Sequence, residues 1–239
     1  MQIGFSGRIV LVAGGTGGLG QAVSLAFLAE GAKVIVTYQN PSGFDELKGV
    51  AAGLSGELVG VRADITAEPA VVGLIEEIVA KHGRLDVLVN TVGAYAGGLK
   101  LWETDAATFE RMLQLNLRSG YVLARAAVPA MLKQGSGALV NIAAKAAVDH
   151  GAGASAYAAS KAAALAMMDA LAADVKGTGV RVNTVLPSII DTAVNRQAMP
   201  RADFSLWPKP EEIAKVILFL ASDEACVIHG AAIPVYGIS

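Results

Sequence analysis

An uncharged stretch that contains a cluster of glycines constrains this chain more than any other feature of its sequence. Residues 9–29 are 21 consecutive positions without a charged side chain, long enough for a helix to span a bilayer. Glycines at positions 14, 15, 17, 18 and 20 interrupt the stretch and disfavour the continuous helix that a membrane span needs. We therefore interpret it as a strand, a glycine-rich turn and a helix, and expect neither a membrane span nor a signal peptide.

Along the rest of the chain, short β-branched runs alternate with longer helical stretches. Such mostly apolar runs suit strands that are buried on both faces of a parallel sheet. The alternation predicts an α/β fold, a Rossmann-type doubly wound parallel sheet of about seven strands in three α/β/α layers, as a single domain over residues 1–239. The predicted strands are 8–13, 33–38, 58–62, 85–90, 138–143, 180–186 and 232–236, and the predicted helices are 18–30, 67–82, 106–133, 154–176 and 210–222.

Composition disfavours several classes of function. The chain is 54% hydrophobic and 17% charged, with a net charge of -2, which argues against disorder, nucleic-acid binding and an anionic membrane surface. Its three histidines show no metal-ligand spacing, so no metal site is predicted. The single cysteine, Cys226, cannot form an internal disulfide, which favours a cytoplasmic location.

The glycine-rich turn over residues 14–20 predicts a nicotinamide dinucleotide as ligand. Glycines let the backbone approach a pyrophosphate, whose charge then lies at the positive end of the following helix. Near the end of the second strand, Thr37 begins a run without the acidic residue that would repel a 2′-phosphate, which slightly favours NADP(H) over NAD(H). Asp64 follows the third strand, where its carboxylate could accept from the adenine amino group. Alternatively, Asp64 or Thr66 caps the next helix.

Several motifs in order make the chain resemble the short-chain dehydrogenase/reductase family over nearly its whole length. They are the glycine pattern at 13–20, Asn-Thr-Val-Gly at 90–93, Asn116, Tyr-x-x-x-Lys at 157–161, Pro-Ser at 187–188 with Thr192, and the stretch at 210–223. The resemblance implies that Tyr157, Lys161 and Asn116 are catalytic. It also implies a set of dinucleotide contacts, namely Gly14, Thr16, Gly17, Gly18, Leu19, Gly20, Thr37, Asp64, Ile65, Asn90, Val92, Gly93, Tyr157, Lys161, Pro187, Ile190 and Thr192.

Tyr157 and Lys161 are one helical turn apart, so their side chains leave the same face of a helix. Because a nearby ammonium stabilises a phenolate, Lys161 is expected to lower the pKa of Tyr157. The resemblance implies that Tyr157 donates a proton as hydride arrives, that Lys161 also holds the nicotinamide ribose, and that Asn116 positions a water molecule. A buried hydrogen-bonding role without catalysis stays open for Asn116.

One position departs from the family pattern. The family places a serine thirteen residues before the tyrosine, where this chain has Ala144, and alanine cannot donate a hydrogen bond to a developing oxyanion. Three stretches, 144–147, 95–98 and 191–207, are locally similar to dihydropteridine reductases. That similarity gives the leading expectation, reduction of a quinonoid dihydropterin or a similarly conjugated ring, which needs no serine donor.

Two other functions stay open: a keto or hydroxyl oxidoreductase of the 3-oxoacyl, sugar or alcohol type, and a catalytically weakened dinucleotide-sensing protein. The candidate substrate residues are Ala144, Tyr95 and Trp207, whose aromatic members either stack on a flat ring or only pack the loops. A small substrate-binding segment is expected at about 188–209. The alanine-rich helices, through the same resemblance, imply a homodimer or homotetramer.

Overall fold

Seven parallel strands form the central sheet of the structure, a computed structural model that describes residues 4–238. The strands are β1 (Ile9–Ala13), β2 (Lys33–Tyr38), β3 (Glu57–Arg62), β4 (Val87–Asn90), β5 (Gly137–Ile142), β6 (Val180–Pro187) and β7 (Ala232–Val235). Their order is β3-β2-β1-β4-β5-β6-β7, and every neighbouring pair is parallel. The order reverses between β1 and β4, and ligands of doubly wound sheets bind at the carboxyl ends of the strands beside that reversal.

Helices cover both faces of the sheet. They are α1 (Gly18–Ala29), α2 (Pro41–Val50), α3 (Glu68–His82), α4 (Ala106–Leu113), α5 (Ser119–Gln134), α6 (Ser155–Asp174), α7 (Ala193–Ala198) and α8 (Pro210–Ala221). Side chains of β1 alternate between the two faces, so that Val10 and Val12 pack with α1 and α8, whereas Leu11 packs with α3, α5 and α6. Each fully buried aliphatic side chain contributes about 1.5–3 kcal/mol. The predicted α/β/α fold class is confirmed.

Several predicted element boundaries were wrong. The single helix expected over 106–133 is divided into α4 and α5 by a π-helical turn, Gln114–Arg118. Helix α2 was not predicted because it is short and interrupted by Gly43 and Gly49 in sequence, and its start depends on Asn40, whose side chain accepts a hydrogen bond from the Ser42 N–H. Strand β4 begins at Val87 rather than residue 85, because the Asp86 carboxylate accepts the Ile9 N–H in place of a strand bond.

Across residues 4–238, no helix combines the length and the apolar composition that crossing a membrane takes. Within the same residues, histidine, cysteine, aspartate and glutamate side chains do not gather in groups of three or more that could hold a metal ion.

Candidate active site

The glycine-rich turn forms a cradle, residues 14–20, at the carboxyl end of β1. A Cβ atom on Gly20 would lie 2.0 Å from the Gly14 carbonyl oxygen, and one on Gly18 would lie 2.9 Å from Cγ2 of Thr192. Gly14 has a φ of +75°, which side-chain-bearing residues rarely adopt. Helix α1 begins here with Gly17 as its N-cap, which supplies no side-chain hydrogen bond. The N–H groups of the first helical turn therefore fit the pyrophosphate of a dinucleotide.

Two threonine hydroxyls brace the cradle. Oγ1 of the buried Thr37 accepts the Gly14 N–H at 3.0 Å, so this hydroxyl shapes the turn from inside the fold. Oγ1 of Thr91 donates to the Ala13 carbonyl at 2.7 Å. Thr91 was missed by sequence reasoning, although it lies inside the Asn-Thr-Val-Gly motif, because its role depends on contact with a strand that is distant in sequence.

Asp64 and Asn90 both organise loops at the strand ends. Asp64 Oδ1 accepts the Thr66 N–H at 2.9 Å and the Thr66 hydroxyl at 2.8 Å, in a turn that precedes α3. The N-cap of α3 is Ala67, so neither Asp64 nor Thr66 caps that helix. Asn90 is buried and pairs with Asn141 at 3.0 Å, while its Oδ1 accepts the Val92 N–H at 3.2 Å. These bonds fix the loop after β4, which continues to Gly93.

Asn116 connects the loop after β4 to the helix that carries the tyrosine. Its Nδ2 donates to the Ala94 carbonyl and to Ser160 Oγ, each at 2.9 Å, and its Oδ1 accepts the Ala94 N–H at 2.8 Å. Ser160 Oγ in turn donates to the Tyr157 carbonyl at 2.7 Å. Because both Nδ2 hydrogens are used within the protein, Oδ1 is the atom of this amide left with bonding capacity toward water. Ser160 was missed although it lies within the Tyr-x-x-x-Lys motif.

Tyr157 and Lys161 lie on α6 and are both affected by burial. Lys161 Nζ donates to the Ile142 carbonyl at 3.0 Å, and burial lowers the pKa of Lys161 to about 8. Burial, and then the neighbouring Tyr95, raises the pKa of Tyr157 to about 12. Lys161 was expected to lower the tyrosine pKa, but the net shift is upward, because desolvation of the phenolate dominates. At neutral pH Lys161 is charged and Tyr157 is a neutral phenol that can donate a proton.

The pair is packed against the loop after β4. A Cβ atom on Gly93 would lie 3.0 Å from Lys161 Nζ and 2.8 Å from Asn116 Oδ1. The absence of a side chain at Gly93 thus allows the lysine and the asparagine to approach the same stretch of backbone.

Ala144 follows β5 and is buried in extended backbone, with φ of -167°. A 3-10 turn, Lys145–Ala147, comes directly after it. Lys145 Nζ lies 5.2 Å from the centroid of the Tyr236 ring and 3.9 Å from the Asp149 carboxylate. The position that carries a hydroxyl in the family therefore carries the methyl group of Ala144, and the next residue is the partly exposed cation Lys145.

The segment 188–209 is held by side-chain contacts. Arg196 makes two hydrogen bonds to Asp191, at 2.5 and 2.8 Å, which lower the pKa of that carboxyl group. The Arg196 guanidinium also lies 4.8 Å from the Phe204 ring centroid, and Phe204 lies 5.0 Å from Trp207. Of the two roles left open for Trp207, packing of the segment fits its burial, since the side chain is only 7% exposed.

Two further residues of this segment approach the cradle and β6. Thr192 is the N-cap of α7, accepts the Asn195 N–H at 3.3 Å, and places its methyl group against Gly18. The Ile190 carbonyl accepts from Asn195 Nδ2 at 2.8 Å, directly after β6 ends at Pro187. The segment and the cradle therefore meet, and a dinucleotide in the cradle would contact both.

Tyr95 lies on the loop after β4 and is 66% exposed. Its ring contacts the Tyr157 ring edge to face, with 5.0 Å between centroids and 74° between planes. This predicted substrate residue thus lies beside the predicted proton donor.

The chain is similar in sequence to known proteins over most of its length. The model of the family described as short chain dehydrogenase matches residues 8–203. The chain is 33% identical over 241 residues to the 3-oxoacyl-[acyl-carrier-protein] reductase FabG of Thermotoga maritima, covering 97% of both proteins. It is 34% identical over 242 residues to meso-2,3-butanediol dehydrogenase of Serratia marcescens, covering 98% of this chain and 94% of the relative.

A solved structure of a short-chain type dehydrogenase/reductase from Mycobacterium ulcerans superimposes with a TM-score of 0.92 at 27% identity, covering 98% of this chain and 90% of that one. The chain therefore belongs to the short-chain dehydrogenase/reductase family, and it is an oxidoreductase of the class that binds NAD(H) or NADP(H). The two curated relatives bear the names of keto and hydroxyl oxidoreductases, which favours that alternative over the expected pterin reductase.

Proposed function

We propose that this oxidoreductase interconverts a ketone and a secondary alcohol. The proposal is carried by the Tyr157 phenol, which lies one turn of α6 from the buried ammonium of Lys161, on a turn whose backbone Ser160 and Asn116 tie to the loop after β4. The names of the 3-oxoacyl and butanediol relatives support the same chemistry.

The residues of the cradle fit a dinucleotide, which when bound supplies or accepts the hydride. Backbone N–H groups at the start of α1 would hold its pyrophosphate, and Lys161 would hold its nicotinamide ribose. With a pKa of about 12, Tyr157 is protonated at neutral pH and donates its phenolic proton to the ketone oxygen. Lys161, charged below its pKa of about 8, stabilises the phenolate left behind. This protonation pattern favours the direction of ketone reduction.

Ala144 carries a methyl group where the family has a serine hydroxyl, so one hydrogen-bond donor to the substrate oxygen is missing. Of residues 144 and 157, only Tyr157 can donate to that oxygen. Restoring the donor by Ala144→Ser should raise kcat on a ketone by about a hundredfold, the usual magnitude of one oxyanion donor. The backbone at this position is extended, and a serine adopts it without strain.

A quinonoid dihydropterin is the second candidate substrate, and the absence of a hydroxyl at Ala144 specifically favours it. Hydride delivery to a conjugated imine system develops no isolated oxyanion, so Ala144→Ser should leave pterin turnover unchanged. The two candidates therefore predict opposite responses to one substitution.

The dinucleotide contacts, the cofactor preference and the assembly belong to the proposal as well. The absence of an acidic residue from Thr37 to Asn40 supports a slight preference for NADP(H). Exposed apolar side chains on α4 and α5, among them Phe109, Tyr121 and Leu132, support a homodimer or homotetramer. The free Cys226 supports a cytoplasmic location.

The deciding experiment follows cofactor oxidation at 340 nm with NADPH and with NADH over acetoin, a 3-oxoacyl thioester, xylulose and freshly oxidised tetrahydropterin. We expect turnover of at least one ketone, faster with NADPH, and a gain in the Ala144→Ser variant. Turnover of the pterin alone, unchanged by Ala144→Ser, would replace the ketone assignment with the pterin one. Absence of turnover with every substrate would contradict both.

A further inference from the structure

A cavity of about 330 Å³ lies on the side of the Tyr95 loop toward α4. Its walls come from that loop, from α4 and from the first residues of α6, including Tyr95, Gly97, Thr108, Arg111, Gly153 and Ser155. The Gly98 N–H donates to the Gly153 carbonyl at 2.9 Å and ties the loop to the chain before α6. Because Tyr95 also contacts the Tyr157 ring, the cavity adjoins the predicted proton donor.

The cavity collects hydrogen-bond donors that have no partner in the fold. The Arg111 guanidinium makes no ion pair or hydrogen bond with any residue in the described range 4–238, while other arginines, such as Arg125 and Arg196, are paired. Ser155 Oγ is buried and is likewise without a hydrogen-bond partner among those residues. A buried hydroxyl without a partner is costly unless a ligand or water satisfies it.

The amino-terminal end of α6 adds to the positive electrostatic potential of the cavity. Ser155 is the first residue of this 20-residue helix, and its N-cap, Ala154, supplies no side-chain hydrogen bond. The N–H groups of the first turn and the helix dipole both favour an anion at this place. Within residues 4–238, no carboxylate lines the cavity. The Asp105 carboxylate, between the lining residues Thr104 and Thr108, accepts the Thr108 N–H at 2.7 Å and the Thr108 hydroxyl at 2.9 Å.

We propose that this cavity binds an anionic group of the substrate, a carboxylate or a phosphate, through Arg111, Ser155 and the first turn of α6. The inference rests on the proposed function, which places the reacting carbon of the substrate at Tyr157. That carbon would lie on the other side of the Tyr95 ring from the cavity. The substrate is then an oxo acid or hydroxy acid, or its phosphate counterpart, whose acidic group is a few bonds from the carbon that receives hydride. A planar guanidinium suits both anions because it can donate two parallel hydrogen bonds.

Binding is tested on the full chain by calorimetric titration with acetoacetate and, separately, with inorganic phosphate. Saturating NADP⁺, which cannot reduce acetoacetate, is present in one series to keep the anion out of the cradle, and absent in another. In the series with NADP⁺ we expect acetoacetate or phosphate to bind at one site, about tenfold more weakly in Arg111→Gln and with a smaller loss of affinity in Ser155→Ala. Whichever anion binds more tightly identifies the acidic group.

Arg125→Gln is the matched control, because it removes the same charge from α5, where the guanidinium pairs with Glu68. It should bind the anion as the unmodified chain does. No binding by the unmodified chain, or equal weakening by the Arg111 and Arg125 substitutions, would overturn the proposal. These titrations do not require turnover, so their failure is distinguishable from failure of the ketone assignment.

Where acetoacetate is reduced, methyl acetoacetate provides a second readout. The unmodified chain should have at least a tenfold lower KM for the acid than for the neutral ester, and Arg111→Gln should remove that difference with kcat retained. Equal KM values for acid and ester in the unmodified chain would also contradict an anion site.

Discussion

Two regions lie at the carboxyl ends of the strands and are built from different atoms. One is the cradle at residues 14–20. The other is the catalytic side, which is formed by α6, the π-helical turn and residues 188–209. In the cradle, backbone lies against backbone, so that a Cβ atom on Gly20 would lie only 2.0 Å from the Gly14 carbonyl oxygen. On the catalytic side, side chains hold the geometry: Asn116 to Ser160, and Arg196 to Asp191. The first region depends mainly on missing side chains, although two threonine hydroxyls brace it, and the second depends mainly on side chains with particular partners.

The largest effect is expected in the cradle. Gly20→Ala should abolish dinucleotide binding and lower the free energy of unfolding by about 2–3 kcal/mol, because the new Cβ would overlap backbone that cannot move independently. Gly73→Ala in α3 is the matched control, since a Cβ there meets nothing within 4 Å and should stabilise the helix by up to about 1 kcal/mol. Urea unfolding and fluorescence titration with NADPH measure both quantities. Unchanged NADPH affinity in Gly20→Ala would show that the close backbone approach is not required.

The same difference explains which features could be predicted from the sequence. A close approach of backbone requires glycine at fixed spacing, so the cradle, the helix after it and the parallel sheet were all visible in local patterns. The pairing of Asn116 with Ser160 links residues 44 positions apart, and no local pattern specifies it. The raised pKa of Tyr157 was likewise not predictable, because burial depends on how Tyr95 packs against it.

Residues 188–209 show most clearly what could not be predicted from the sequence. Their sequence left open whether Trp207 stacks on a ligand or packs the loop, and in the structure the tryptophan is buried beside Phe204, which itself packs on Arg196. An aromatic residue in a loop has the same appearance in a sequence whether it faces a ligand or packs the loop, because only tertiary contacts separate the two cases.

A smaller effect is expected from the buried charge on the catalytic side. The pKa of Lys161 is lowered from 10.5 to about 8, so between these values the unfolded chain binds more protons than the folded chain. Stability therefore rises with pH across this window, by about 2 kcal/mol from pH 7.5 to 9.5. In Lys161→Met this rise in stability with pH should disappear. Lys133 is exposed, so Lys133→Met should keep the rise. Urea unfolding at the two pH values tests this, and an identical pH dependence in Lys161→Met and the unmodified chain would contradict it.

The smallest effect is expected from the Arg196 contacts, because the guanidinium side chain is half exposed to solvent. Arg196→Met should accelerate amide hydrogen exchange within residues 192–207 while leaving the urea midpoint unchanged, because the contacts order one segment and not the core. Arg201→Met lies in the same segment and serves as the control, with exchange as in the unmodified chain. Equal exchange rates in both variants would show that the segment is ordered by its backbone, like the cradle.

The central claim is that Tyr157 delivers the proton to a carbonyl oxygen while the cradle holds the dinucleotide. Its most direct test is Tyr157→Phe, assayed for reduction of the best ketone and for NADPH affinity. We expect a loss in kcat of about 10²–10⁴-fold with the NADPH dissociation constant unchanged, because the ring is kept and only the proton donor is removed. Retention of ketone turnover by Tyr157→Phe would contradict the account.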